Sequence, residues 1–203
     1  MSIADKLTTV AENVPKVYEA GKKAEYDDFW KAYQSNGNRT VYQYAFYRQY
    51  WKNGTTYNPK YPITIPSSNY ANNMFANSGV TNTEVAITIS GSHAGVFSSA
   101  AVKTIPYLDV SGVTGTMADW FTSCSNLAHI TFVGTISVNV NFKDCPLTAK
   151  SLVSIVEHLS DTASGKTLTV KTSAVNNADW STTDYASWDA LIATKPNWSF
   201  SKA

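Results

Sequence analysis

From residue 67 onwards a degenerate repeat runs through the chain, and no other feature constrains the fold as strongly. The block Asn73-Met74-Phe75-Ala76-Asn77-Ser78 aligns with Trp120-Phe121-Thr122-Ser123-Cys124 and with Asn141-Phe142-Lys143-Asp144-Cys145. In this alignment Phe75, Val96, Phe121 and Phe142 share one position, at intervals of 21, 25 and 21 residues. Ser78, Ser99, Cys124 and Cys145 share a second position three residues later. After it, Val102-Lys-Thr-Ile105-Pro-Tyr107 matches Leu127-Ala-His-Ile130-Thr-Phe132. Each unit therefore contributes one short strand, centred on Ile87, on Ile105 to Leu108, and on Ile130 to Val133. No unit of this length can bury its apolar residues alone, so successive coils must stack to make a core.

An open end of such a stack exposes strand edges and apolar side chains, which predicts an atypical closing unit. The last fifty or so residues fit that role. Leu152, Ile155, Val156 and Leu159 have helical spacing, with Thr148 placed as N-cap and Gly165 beyond the helix. Residues 168–172 read as a strand, 184–192 as a second helix stopped before Pro196, and 198–201 as a closing strand.

The opposite end of the chain has a different period. Ile3, Leu7, Val10, Val14, Val17, Gly21 and Ala24 alternate gaps of four and three, the 3.5-residue repeat of a left-handed coiled coil. β-Branched residues at both seam positions favour three strands. Pro15 would break a continuous helix, and Asn13 can cap a restart with Pro15 in its first turn. The alternative is one amphipathic helix lying on its own domain. Residues 26–61 are crowded with aromatics, among them Trp30, Tyr42, Tyr44, Phe46, Tyr50 and Trp51. Such a cluster serves either as a local core or as a platform for sugar rings. Pro59, Pro62 and Pro66 then make an extended connector. The expected organisation is a helical oligomerisation or attachment segment (1–35), an aromatic connector (36–66), and a solenoid with its cap (67–203). The fold class is α+β.

Composition narrows the function. Sixteen Lys and Arg against fifteen Asp and Glu leave a net charge of +1, which excludes a binder relying on a basic face to neutralise phosphates. Only 15% of the 203 residues are charged and 13% are aromatic, so this is not a disordered solvated chain. No apolar run approaches the roughly 20 residues of a membrane span. The N-terminus, MSIADKLTTVAENV, lacks the cationic start and apolar core of a signal peptide, which predicts synthesis in a cytosol or release with a particle assembled there.

Chemistry-bearing residues are sparse. His93, His129 and His158 fall in separate units, and nothing has metal-ligand spacing. His129 with Cys124 is the one nucleophilic pairing the spacing offers, but the repeat already gives Cys124 a packing role. Asp27 and Asp28 point in different directions on a helix and do not form an acid/base pair. The segment SGVTG at 111–115 reads as a turn between coils, not a phosphate loop. Cys124 and Cys145 occupy equivalent places in neighbouring coils, and strands about 4.8 Å apart would allow a disulfide. The other state is two reduced thiols packed inside, which the repeat favours. No catalytic residue, cofactor or metal is expected.

The pattern Phe-x-x-Cys-Ser-x-Leu-x-x-Ile, from Phe121 to Ile130, resembles BspA-like leucine-rich repeats. The block KKAEYDDFWKAYQSNGNRTVYQYAF and the endings SLVSIVEHLS, TVKTSAVNNA and WDALIATKPNWSFS resemble those of small phage and prophage proteins that carry such repeats. The resemblance spans nearly the whole chain, although Ser78 and Ser99 stand where cysteine is usual. It implies a non-enzymatic virion or tail-associated structural protein, located in the virion. The expected partners are copies of itself through the N-terminal seam (a trimer), other virion proteins and a host surface glycan or protein. A bacterial surface adhesin module built on the same repeat is the alternative.

Overall fold

The computed structural model describes residues 62–67, 71–83 and 85–203, which wind into a β-solenoid of about four turns with few helices. Strands β1 (Ile63–Ile65), β2 (Ile87–Gly91), β3 (Thr104–Val113) and β4 (His129–Val133) lie side by side in chain order, all parallel. A second parallel sheet holds β5 (Val140–Phe142), β6 (Lys166–Val170) and β7 (Trp198–Lys202). Helix α1 (Ala149–Glu157) links β5 to β6. Helix α2 (Thr172–Asn176), a 3-10 turn (Trp180–Thr182) and helix α3 (Trp188–Ile192) link β6 to β7. The seam of Ile3, Leu7, Val10, Val14, Val17, Gly21 and Ala24, the Asn13–Pro15 restart, Asp27–Asp28 and the aromatic connector up to Tyr61 lie outside the described residues.

The strands form because their sequences alternate with period two and one face is buried. Ile63 and Ile65 are buried on either side of exposed Thr64, and Ile130 and Phe132 flank exposed Thr131. In register, Ile63, Ile87, Leu108 and Phe132 form one inward row across the first sheet. The solenoid begins before residue 67, since β1 is a solenoid strand and not connector. Pro62 and Pro66 bracket it from outside, where neither removes a ladder donor.

Between the sheets the coils stack through aromatic rings. Phe75, Phe97, Phe121 and Phe142 lie face over face, with centroids 5.0, 5.6 and 4.5 Å apart. The second rung is therefore Phe97 and not Val96. Val96 is also fully buried, but it sits one residue out of the row. The backbone shows the same register: Phe75 N–H donates to Val96 O, and Phe97 N–H to Trp120 O. The thiol position shifts with it. Ser78, Ala100, Cys124 and Cys145 are the equivalent residues, while Ser99 matches Asn77 and Ser123. All three of those have positive φ (57°, 53° and 58°) and turn the chain just before that position.

Helix α1 takes the place of a fifth strand on the first sheet. Its serines satisfy the β4 backbone that a strand would have paired. Ile130 N–H donates to Ser151 Oγ and Phe132 N–H to Ser154 Oγ, both at 3.0 Å, and Ser151 Oγ donates to Ala128 O. Thr148 is the N-cap residue, but its hydroxyl meets Ser151 Oγ and not a helix amide. The second helix is shorter than the sequence implies. It starts at Trp188, where Ser187 Oγ caps it by accepting Ala190 N–H. The stretch 168–172 ends as strand at Val170 and turns into α2. A latch closes the terminus: buried Lys195 donates to Leu159 O and Asp161 Oδ1, and Trp198 Nε1 to Ser160 O.

The SGVTG segment is strand in its first three residues and not an inter-coil turn. Its glycine is required by the stacking itself, because a Cβ on Gly112 would lie 2.6 Å from Ser90 Cβ on the neighbouring strand. Gly134 has the same problem one coil on. Its φ is +82°, and a Cβ would lie 2.7 Å from Ser111 N.

Candidate functional site: the outward face of the first sheet

The inward row consumes the residues that the repeat singles out. Phe75, Phe121, Phe142, Ile105, Ile130, Cys124 and Cys145 are all buried, so none is available to a partner. Cys124 and Cys145 are free thiols. Each donates its S–H to the carbonyl of the ring residue one coil back: Cys124 to Phe97 O at 2.9 Å, Cys145 to Phe121 O at 3.6 Å. Burial pushes the Cys124 thiol up to about 12 and raises that of Cys145 as well. Thiols held this way are poor nucleophiles.

His129 and Cys124 are not brought together, since His129 stands exposed on β4 while Cys124 faces the interior. His93 is a structural bridge: its Nδ1 accepts Ala71 N–H at 3.1 Å and its Nε2–H donates to Ser90 O at 2.9 Å. Nδ1 of His158 donates to Ser154 O in the last turn of α1. Among the described residues there is no group of three or more His, Cys, Asp or Glu placed to hold a metal ion. Among them, too, no helix is long and apolar enough to cross a membrane.

The outward face has a different chemistry. Thr64, Thr88 and Asp109 are in register across β1, β2 and β3, and Thr104 is in register with His129. The pairing of β3 with β4 slips between Ile105 and Leu108, so that Pro106 and Tyr107 together oppose the single Thr131. This is a β-bulge, a device that re-aims a side chain. Here the residue it turns outward is Tyr107, at 39% exposure the one exposed large hydrophobic side chain among the described residues. Asp109 Oδ1 accepts from Ser111 N and Oγ, which fixes the strand beyond the bulge.

This face adjoins a groove of about 470 Å³, within the usual range for small-ligand sites. His129 belongs to both, being exposed on β4 and lining the groove. Leu147 and Thr148, from the loop before α1, and Lys150 form part of one wall, and Asn177 and Asp179, after α2, part of another. With Pro146, Ala174 and Ala178 also in its lining, the groove offers apolar surface, a cation, an anion and an amide. Sequence reasoning did not single out Tyr107, Thr131 or this groove. The usable signal was the central threonine of Ile-Thr-Ile, Ile-Thr-Ile and Ile-Thr-Phe, and its replacement by Pro-Tyr in the third coil.

No family model, curated protein or solved structure was found to match this chain.

Proposed function

We propose that this protein is a non-enzymatic structural component of a phage particle, tail-, fibre- or surface-associated, which displays its solenoid for contact with the host. The observation that carries the contact half is the outward face of the first sheet. Two threonines and a carboxylate in register, one re-aimed tyrosine and an adjoining groove form a polar surface on a rigid stack. Rigid sheets hold contact residues more precisely than loops do. The phage half draws on the resemblance of residues 22–46 and 151–200 to phage and prophage proteins. Attachment is assigned to the N-terminal seam of Ile3, Leu7, Val10, Val14, Val17, Gly21 and Ala24.

The test is mass spectrometry on gradient-purified particles, with antibody against the solenoid to read its accessibility. The chain is expected in the particle with its solenoid exposed. Absence from particles, together with recovery on the bacterial surface, would overturn this reading in favour of a cellular adhesin.

A further inference from the structure

The groove and Tyr107 belong to one continuous strip of surface. His129 lines the groove, and Thr131 follows two residues along on the same face of β4, about 6.6 Å away. Tyr107 lies opposite Thr131 on the next strand, about 4.8 Å across. A ligand seated in the groove therefore reaches the tyrosine ring with its next unit or two. The chemistry along this strip is mixed in a particular way. Asn177 supplies both a donor and an acceptor, exposed Thr131 supplies a hydroxyl along the strip, and Lys150 and Asp179 contribute one charge of each sign. An ionic ligand would gain little there, while a molecule dense in hydroxyls can be matched by donors and acceptors together. The apolar side chains of Pro146, Ala174 and Ala178 in the lining, and the exposed Tyr107 beyond, suit a ligand that also has apolar CH faces.

We propose that the groove beside His129 and the ring of Tyr107 form a single extended site for a neutral oligosaccharide, with hydroxyls bound in the groove and one sugar ring stacked on the tyrosine. This rests on the contact reading above and specifies its ligand class.

The full-length chain is tested on an array of neutral oligosaccharides built from glucose, galactose, rhamnose and N-acetylglucosamine, with acidic oligosaccharides alongside. Retention of at least one neutral oligosaccharide is expected. Tyr107→Ala and Asn177→Ala should each weaken it by about tenfold, while Tyr107→Phe, which keeps the ring face, should retain it. Both side chains are at the surface, and matching thermal melts exclude misfolding as the cause. Binding should change little between low and moderate salt, since few charges take part. Retention of acidic oligosaccharides alone, retention of none, or neutral binding indifferent to both alanine variants would each overturn the proposal. Labelled protein on bacterial cells separates this from the contact reading. Cell binding that protease treatment abolishes and periodate spares rejects the sugar ligand and keeps host contact, whereas no cell binding beside a positive array rejects host contact and keeps the sugar site.

Discussion

A thiol held inside a solenoid wall keeps its proton where a solvated one would lose it. Below pH 9.0, the ordinary thiol value, Cys124 and Cys145 are protonated in both the folded and the unfolded chain, and no pH dependence follows. Above it the unfolded chain sheds protons that the folded chain retains. Stability then falls as pH rises, by up to about 1.4 kcal/mol per pH unit for each thiol, until the raised folded values are reached. Urea melts of the wild type and of Cys124→Ala, just below and well above pH 9, read this directly. The variant should lose less on the alkaline side, and equal losses would mean that the Cys124 thiol ionises within the fold. The ring ladder gives a second prediction at this scale. Phe97→Ala removes a rung stacked on both sides and should cost about 3–5 kcal/mol, whereas Val96→Ala removes less volume from the same coil and should cost less. Urea unfolding of the two variants decides it, and the opposite order would return the rung to Val96.

At the scale of elements, the informative junction is the one where a helix replaces a strand. Ser151 accepts from Ile130 N–H and donates to Ala128 O, so Ser151→Ala strands two backbone groups at a buried edge. A loss of about 1–3 kcal/mol is expected, with faster amide exchange at Ile130. An unchanged exchange rate would show that the helix covers the edge by packing alone. Much of this architecture was legible. The existence of β2, β3 and β4, of the helix around Leu152 to Val156 and of the closing strand at Trp198 follows from the repeat and from helical spacing, although β2 begins at Ile87, where the repeat centred it. What failed was register. The alignment put the second rung at Val96, with intervals of 21, 25 and 21 residues, whereas the observed rungs are separated by 22, 24 and 21. Val96 and Phe97 are adjacent and both apolar, so the pattern alone does not choose between them. Asn77, Ser99 and Ser123 mark the shared left-handed corner, yet Asn and Ser occur in so many turns that the signal is weak without the fold. The serine-over-glycine packing of Ser90 on Gly112 recurs for Ser92 on Gly115 and Ser111 on Gly134, but serine and glycine are too common in turns for that spacing to stand out without the fold. The candidate site was hidden likewise, since Tyr107 is outward only because a bulge adds a residue to β3.

On the proposed reading, the question for the whole molecule is how the outward face would hold a particle to a cell. An open surface site for a neutral ligand gains little from deep burial, and each copy binds weakly on its own. Such a site becomes effective when several copies engage one surface, and linked sites can raise avidity by about 10²–10⁴-fold without a new contact. On the proposed reading, the N-terminal seam would be the means of linking copies. Its 3.5-residue spacing favours association in a bundle, with β-branched residues inclining it to three strands. The display and oligomer readings therefore predict one another. Light scattering should find the full-length chain trimeric, and a chain lacking residues 1–30 monomeric with its thermal melt retained. On immobilised host cells the trimer should dissociate far more slowly than the shortened chain, while the two should bind a soluble single ligand equally well. Equal dissociation from the surface would mean that the copies do not engage together, whatever their number. A monomeric full-length chain that nevertheless adheres tightly would place the affinity in a single deep contact, and neither the seam nor the outward face would then account for it.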